Sequence, residues 1–166
     1  MFTVHATKKL LERVGAAVED PVDQPTNVLG NWYATSLPWK PQVALFVNEA
    51  TLLPVLLPLA PARTVADRLP DALGRVLDAL GTDARFVATE VAATTGPRYA
   101  RTASRSVIGI MNEFTHFAAH RRSRLGVHDH VELAVYLAGI PCTPLYARHT
   151  SPDRELAALV ATHLGP

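Results

Sequence analysis

Val43-Ala44-Leu45-Phe46-Val47-Asn48-Glu49-Ala50-Thr51-Leu52-Leu53-Pro54-Val55-Leu56-Leu57 places two apolar runs of strand length on either side of a short polar break. Branched and aromatic side chains favour a pleated, buried surface, and Asn readily hydrogen-bonds its own backbone in turns, so the stretch predicts a β-hairpin near 43–57 turning at Asn48 to Ala50. The first run contains nothing that bars it from a ladder. The second contains Pro54 and meets Pro58, neither of which has an N–H to donate, so it is expected at a sheet edge or bulge, with the first strand more central.

Outward from the hairpin towards the N-terminus, Phe2-Thr3-Val4-His5 alternates as a strand does, and Thr7 can cap a helix from Lys8 to about Ala17 with Leu10, Leu11 and Val14 as its apolar stripe. The acidic, proline-punctuated segment Glu19 to Thr26 reads as a loop. Gly30-Asn31-Trp32-Tyr33-Ala34 reads as a tight turn packed on the core, with the wall of a pocket as the alternative.

Towards the C-terminus, Thr64-Val65-Ala66-Asp67 opens a short turn that Pro70 restarts as a helix with Leu69, Leu73, Val76, Leu77 and Leu80 on one face. Gly81 ends it, and Asp83 caps a helix running to about Ala93. Arg98 to Thr102 forms a short strand, and Ser104 or Ser106 caps a helix running to about Arg122. Asp129 to Ala138 and Ser151-Pro152-Asp153 to about His163 complete the series. The sum is an α+β fold: a small, mostly antiparallel sheet including the hairpin, packed with five or six helices in a single domain over 1–166.

The composition, 48% hydrophobic and 19% charged, is that of a globular protein and excludes a disordered chain. A lone Cys142 forms no internal disulfide, and no Cys/His ladder has zinc spacing, so a reducing, cytoplasmic setting is expected. Leu52 to Leu59 is too short and too broken by proline to cross a bilayer, so no membrane role is expected.

Charge is unevenly placed. Between Pro97 and Arg124, six arginines (Arg98, Arg101, Arg105, Arg121, Arg122, Arg124) face one acid, Glu113, giving +5 in a chain whose total is +1 and leaving −4 for the rest. A concentrated cationic surface attracts phosphates, carboxylates or acidic partners. At about 100° per residue, Val107, Ile110, Met111, Phe114, Phe117 and Ala118 share the core-facing side of the 104–122 helix. Arg105, Gly109, Asn112, Glu113, His116 and His120 share the opposite side, which meets water or a ligand. Gly109 there suggests a close approach by another backbone or a ligand. Arg105 sits at a helix N-terminus where its own charge is opposed by the dipole and an anion is favoured. Arg101, Arg105, Ser104 and Ser106 are therefore candidates to clamp a phosphate or carboxylate.

Glu113, His116 and His120, with His128-Asp129-His130 beyond the helix, supply metal-ligating side chains, but the second Glu-x-x-His helix of a bundle di-metal site is absent and no metal is expected. Neither a nucleophile elbow nor a glycine-rich phosphate loop is present, and no cofactor is expected. His5, at the end of the first strand, reads as a satisfied core histidine rather than a base.

The strings Ala6-Thr7-Lys8-Lys9-Leu10-Leu11, Leu29-Gly30-Asn31-Trp32-Tyr33-Ala34, Asn48-Glu49-Ala50-Thr51-Leu52-Leu53-Pro54 and Arg105-Ser106-Val107-Ile108-Gly109-Ile110-Met111-Asn112-Glu113-Phe114 resemble an uncharacterised bacterial domain-of-unknown-function family. The resemblance spans nearly the whole chain and implies no activity. It singles out His5, Thr7, Asn31, Trp32, Asn48, Glu49, Arg105, Ser106, Asn112 and Glu113, with an acidic residue at the place of Glu113 but no regular histidine pair at His116 and His120.

Three functional readings follow. The first is a binding or regulatory protein whose Arg-lined face, with Arg101, Arg105 and Ser106, holds nucleic acid or an acidic protein. The second is an enzyme or sensor for a small phosphorylated or carboxylated molecule, with Arg105, Asn112 and Glu113 facing Asn31, Trp32, Asn48 and Glu49 across a pocket. The third is a scaffold or toxin–antitoxin-like partner acting through a hydrophobic interface, as by adding a strand at the Pro-containing edge.

Overall fold

A computed structural model describes residues 1–166. Five strands form one sheet in the order β4-β3-β2-β1-β5, where β1 is Phe2–Ala6, β2 Trp32–Leu37, β3 Val43–Asn48, β4 Pro54–Pro58 and β5 Pro97–Arg101. The hairpin is β3–β4, antiparallel in the register Val43↔Pro58 to Val47↔Pro54, and β2 joins β3 antiparallel from Trp32↔Asn48 to Leu37↔Val43. As its prolines require, β4 is an edge strand and β3 lies inside.

The other half of the sheet is parallel. β1 pairs with β2 as Val4↔Trp32 to Ala6↔Ala34 and with β5 as Phe2↔Pro97 to Ala6↔Arg101. Such ladders need crossover connections, and these are supplied by α1 (Lys8–Val14) after β1 and by α2 (Leu69–Ala79) and α3 (Ala84–Ala93) before β5. Gly30 to Ala34 is therefore not a turn: Gly30 alone has a positive φ, 73°, and Trp32 starts the middle strand of the sheet. Every residue of β1, β2 and β3 is buried, so both faces of the sheet are covered, and Thr3 and His5 of β1 and Thr35 and Ser36 of β2 are polar residues inside.

The covering helices are α4 (Arg105–Leu125), which packs on β2 and β3, and α5 (His130–Ala138), which packs on β4, α2 and α4. α6 (Pro152–Leu164) closes the chain. Asp83 caps as expected, its carboxylate accepting from Arg85 N–H; of Ser104 and Ser106 it is Ser104 whose Oγ accepts from the Val107 N–H, and Asp129, expected as the start of its helix, caps it through Glu132 N–H. α1 is shorter than expected, because Gly15 takes the left-handed conformation (φ 69°) that ends a helix. Its N-cap Thr7 turns its hydroxyl to Thr35 Oγ1 at 3.1 Å instead of capping. A single cluster of 43 buried apolar residues forms the core. No helix is long and apolar enough to cross a membrane.

Candidate functional site

The parallel ladders bring the C-terminal ends of β1 and β5 side by side, with α4 starting just beyond. His5 is opposite Ala100 and Ala6 opposite Arg101. Around this end lies a cleft of about 520 Å³ walled by His5, Glu19, Asp20, Arg101, Thr102 and Ala103 among others. A second hollow of about 460 Å³, walled by Lys8, Glu12 and Leu11, shares Val18, Arg101 and Thr102 with it, so Arg101 stands between the two.

His5 is 5% exposed. Its ring stacks on Tyr33 with centroids 4.7 Å apart and planes 24° from parallel, and its Nδ1 lies 2.9 Å from the Arg101 carbonyl oxygen. A carbonyl only accepts, so Nδ1 carries the proton, and in the neutral tautomer that this fixes Nε2 is an acceptor. Nε2 has no partner within the chain, and His5 lines the cleft. The histidine expected to be satisfied is thus satisfied on one side only. Tyr33 fixes the other edge of the arrangement: its hydroxyl accepts from the Ser104 N–H at 2.9 Å, tying β2 to the start of α4.

Ser104 caps α4 through Val107 and Ile108, which leaves the Arg105 and Ser106 amides without intramolecular acceptors. Arg101, Arg105 and Ser106 are exposed, and none of their side chains is hydrogen-bonded or ion-paired within the chain. The rest of the basic segment is dispersed. Arg98 faces Glu19 (3.7 Å) and the Asp20 carbonyl (3.4 Å), Arg121 lies over the Tyr136 ring (4.1 Å) and Arg122 over Trp39 (4.9 Å). Three of the six arginines of this segment thus lie against groups of the chain itself.

Asn31, Trp32, Asn48 and Glu49 do not face Arg105 across a pocket. Asn48 lies on β3, three strands from Arg101, roughly 14 Å at the usual strand spacing. It is fully buried and fully engaged: Nδ2 donates to the Leu29 (2.8 Å) and Asn31 (3.1 Å) carbonyls, and Oδ1 accepts from Ala50 N–H (3.2 Å), Thr51 N–H (2.9 Å) and Thr51 Oγ1 (2.9 Å). Asn31 Oδ1 accepts from Thr3 N–H at 2.7 Å, at the opposite end of β1 from Arg101. Trp32 is fully buried in the core, and Glu49 is exposed in the turn, with its N–H on the Asn31 carbonyl at 3.0 Å.

This node continues into Glu90 of α3, also fully buried, whose carboxylate accepts from Val28 N–H (2.8 Å), Leu29 N–H (2.9 Å) and Asn27 Nδ2 (3.2 Å). Sequence reading placed Glu90 only within the helix that Asp83 caps and gave it no role. A carboxylate at a core position is the signal that could have revealed it.

Asn112 and Glu113 belong to a different hollow, about 550 Å³, formed where the exposed side of α4 meets the chain after α5; His116, Phe117, Ile140, Pro141, Thr143 and Tyr146 complete it. Phe117 was expected in the core and is instead 38% exposed. Gly109 admits no close neighbour, since no atom lies within 4 Å of where its Cβ would be. No three His, Cys, Asp or Glu side chains gather at metal-ligating range.

A family model described as a domain of unknown function (DUF6933) matches residues 3–155. The chain belongs to this family. No curated protein and no solved structure matches the chain. The strand-end cleft, the Asn48–Glu90 node and the Glu113 hollow all lie inside the DUF6933 span, whereas most of α6 lies outside it.

Proposed function

We propose that the protein binds a small phosphorylated or carboxylated molecule that also offers hydroxyl groups, at the C-terminal end of β1 and β5. The observation that carries this reading is His5: a ring 95% buried, locked by a stack and one hydrogen bond, with Nε2 left unpartnered in a cleft beside the free Arg101 guanidinium. Nε2 opens onto the cleft, where a donor group can reach it, and ligands of open sheets collect at the carboxyl ends of parallel strands.

The chemistry divides the cleft. Arg101, on the cleft wall, suits the anionic group, because a planar guanidinium favours oxyanions. His5 Nε2, Glu19 and Asp20 are acceptors and suit hydroxyl donors on the rest of the molecule. A long polyanion is less well supported, since Arg98, Arg121 and Arg122 lie against groups of the chain itself.

Calorimetric titration with glycerol 3-phosphate, inorganic phosphate and glycerol tests the reading. Glycerol 3-phosphate should bind best and glycerol least. Arg101→Ala should weaken the phosphate compounds by about tenfold or more, the scale of one charge-assisted hydrogen bond. His5→Gln should narrow the gap between glycerol 3-phosphate and phosphate. Equal affinities for Arg101→Ala and the parent chain, or no heat with either anion, would overturn it.

A further inference from the structure

The hollow between α4 and the segment after α5 joins one carboxylate to two exposed aromatic rings. Glu113 and Phe117 stand one helical turn apart on α4, and Tyr146 faces them from the end of the 3-10 turn Thr143–Leu145. Phe117 is 38% and Tyr146 58% exposed, which sets them among the few large apolar side chains that the fold leaves in water. Asn112 adds an amide at the rim, and the His116 ring meets Phe117 edge-on at 6.3 Å.

Glu113 forms no ion pair and accepts no hydrogen bond within the chain, although the basic segment around it holds six arginines. The arginines that do find aromatic rings find others: Arg121 lies over Tyr136 and Arg122 over Trp39. Phe117 and Tyr146 are left without a cation, and Glu113 without a counter-charge, in one hollow of about 550 Å³. The carboxylate is also felt by the buried Cys142 thiol, which is pushed up to about 11 by burial first and by the Glu113 charge second.

We infer that this hollow is a binding site for a small organic cation, an ammonium or guanidinium with an apolar or aromatic body. The charged head is held by Glu113 and by the faces of Phe117 and Tyr146, and the body rests on Ile140 and Pro141. Aromatic faces carry negative potential and attract cations that are weakly hydrated, so alkylated ammonium and guanidinium groups fit better than a bare ammonium. The site is independent of the strand-end cleft, sharing no lining residue with it.

Titration of the full chain with benzyltrimethylammonium, followed by amide chemical shifts, tests this, with neutral benzyl alcohol as control. Shifts should saturate and map to Asn112–Phe117 and Ile140–Tyr146, and benzyl alcohol should bind clearly more weakly. Glu113→Gln should weaken the cation about fivefold, and Phe117→Leu about two- to fivefold, while Tyr146→Phe, which keeps the ring, should change little. All three positions are exposed, so the variants should keep the parent's melting behaviour. Equal binding of benzyl alcohol, unchanged affinity in Glu113→Gln, or shifts that map elsewhere would overturn the assignment.

Discussion

Asn48 and His5 are both buried polar side chains at strand ends, and they differ in what their polar atoms touch. The Asn48 amide makes five hydrogen bonds inside the chain; the His5 ring makes one and leaves Nε2 open to a cleft. Both are positions that the family resemblance singles out. The comparison teaches that such positions mix two kinds of residue, those whose hydrogen-bonding capacity is filled by the fold and those for which it is left over. Only the second kind can recognise something else.

The largest effect expected from this contrast is on stability at the filled end. Glu90→Ala removes the acceptor for two backbone N–H groups and one amide, leaving them buried, and should cost about 3 kcal/mol or more in urea unfolding. Asn48→Ala should cost a similar amount, because it frees the Leu29 and Asn31 carbonyls and unties the hairpin turn. A loss below 1 kcal/mol in either variant would break the claim that this end is scaffold.

The next effect is on the pH profile. The unfolded Cys142 thiol loses its proton near its ordinary value of 9.0, whereas the folded one, buried and near Glu113, holds it to about 11. Between these values the unfolded chain binds fewer protons, so stability should fall as pH rises from about 9 to 11. Tyr99, pushed up to about 12 chiefly by burial, acts in the same sense at the upper end. Cys142→Ser should flatten the decline in urea midpoint over that window; an unchanged slope would remove Cys142 as its cause.

Most of the fold was legible because it follows from local chemistry. The prolines at 54 and 58 set the edge, and Ser104, Asp83 and Asp129 set three helix starts. What stayed hidden is long-range. Nothing in Trp32–Leu37 alternates, since the strand is covered on both faces and its adjacent Thr35 and Ser36 point to opposite ones, and so the start of the middle strand read as a turn. The same pairing, β1 parallel to β2 and β5, is what places His5 against the Arg101 carbonyl. Arg101, Arg105 and Ser106 could be picked by composition, but their separation from Asn31 and Asn48 depends on strand order, which no local pattern encodes. The outward turn of Phe117 is less hidden, because four residues after Glu113 it sits at the edge of the apolar stripe and not at its centre.

Ser104→Ala should have a smaller effect, about 1 kcal/mol, from loss of the α4 cap. Because the Ser104 N–H to Tyr33 bond is made by the backbone, the strand-end cleft should persist and glycerol 3-phosphate should still bind.

Arg101→Ala sharpens the comparison most, since its effect on folding should be the smallest of all. The side chain is exposed and unpaired, and the Arg101 atom that matters to His5 is the carbonyl, which alanine keeps. Unfolding should therefore change by less than about 0.5 kcal/mol, the range of surface substitutions, and the ring of His5 should stay stacked on Tyr33. Against that flat background, the expected tenfold loss of phosphate affinity is a loss of recognition and nothing else. If Arg101→Ala instead destabilised the chain as Glu90→Ala should, the strand-end arginine would be scaffold too, and the division between filled and unfilled ends would not hold.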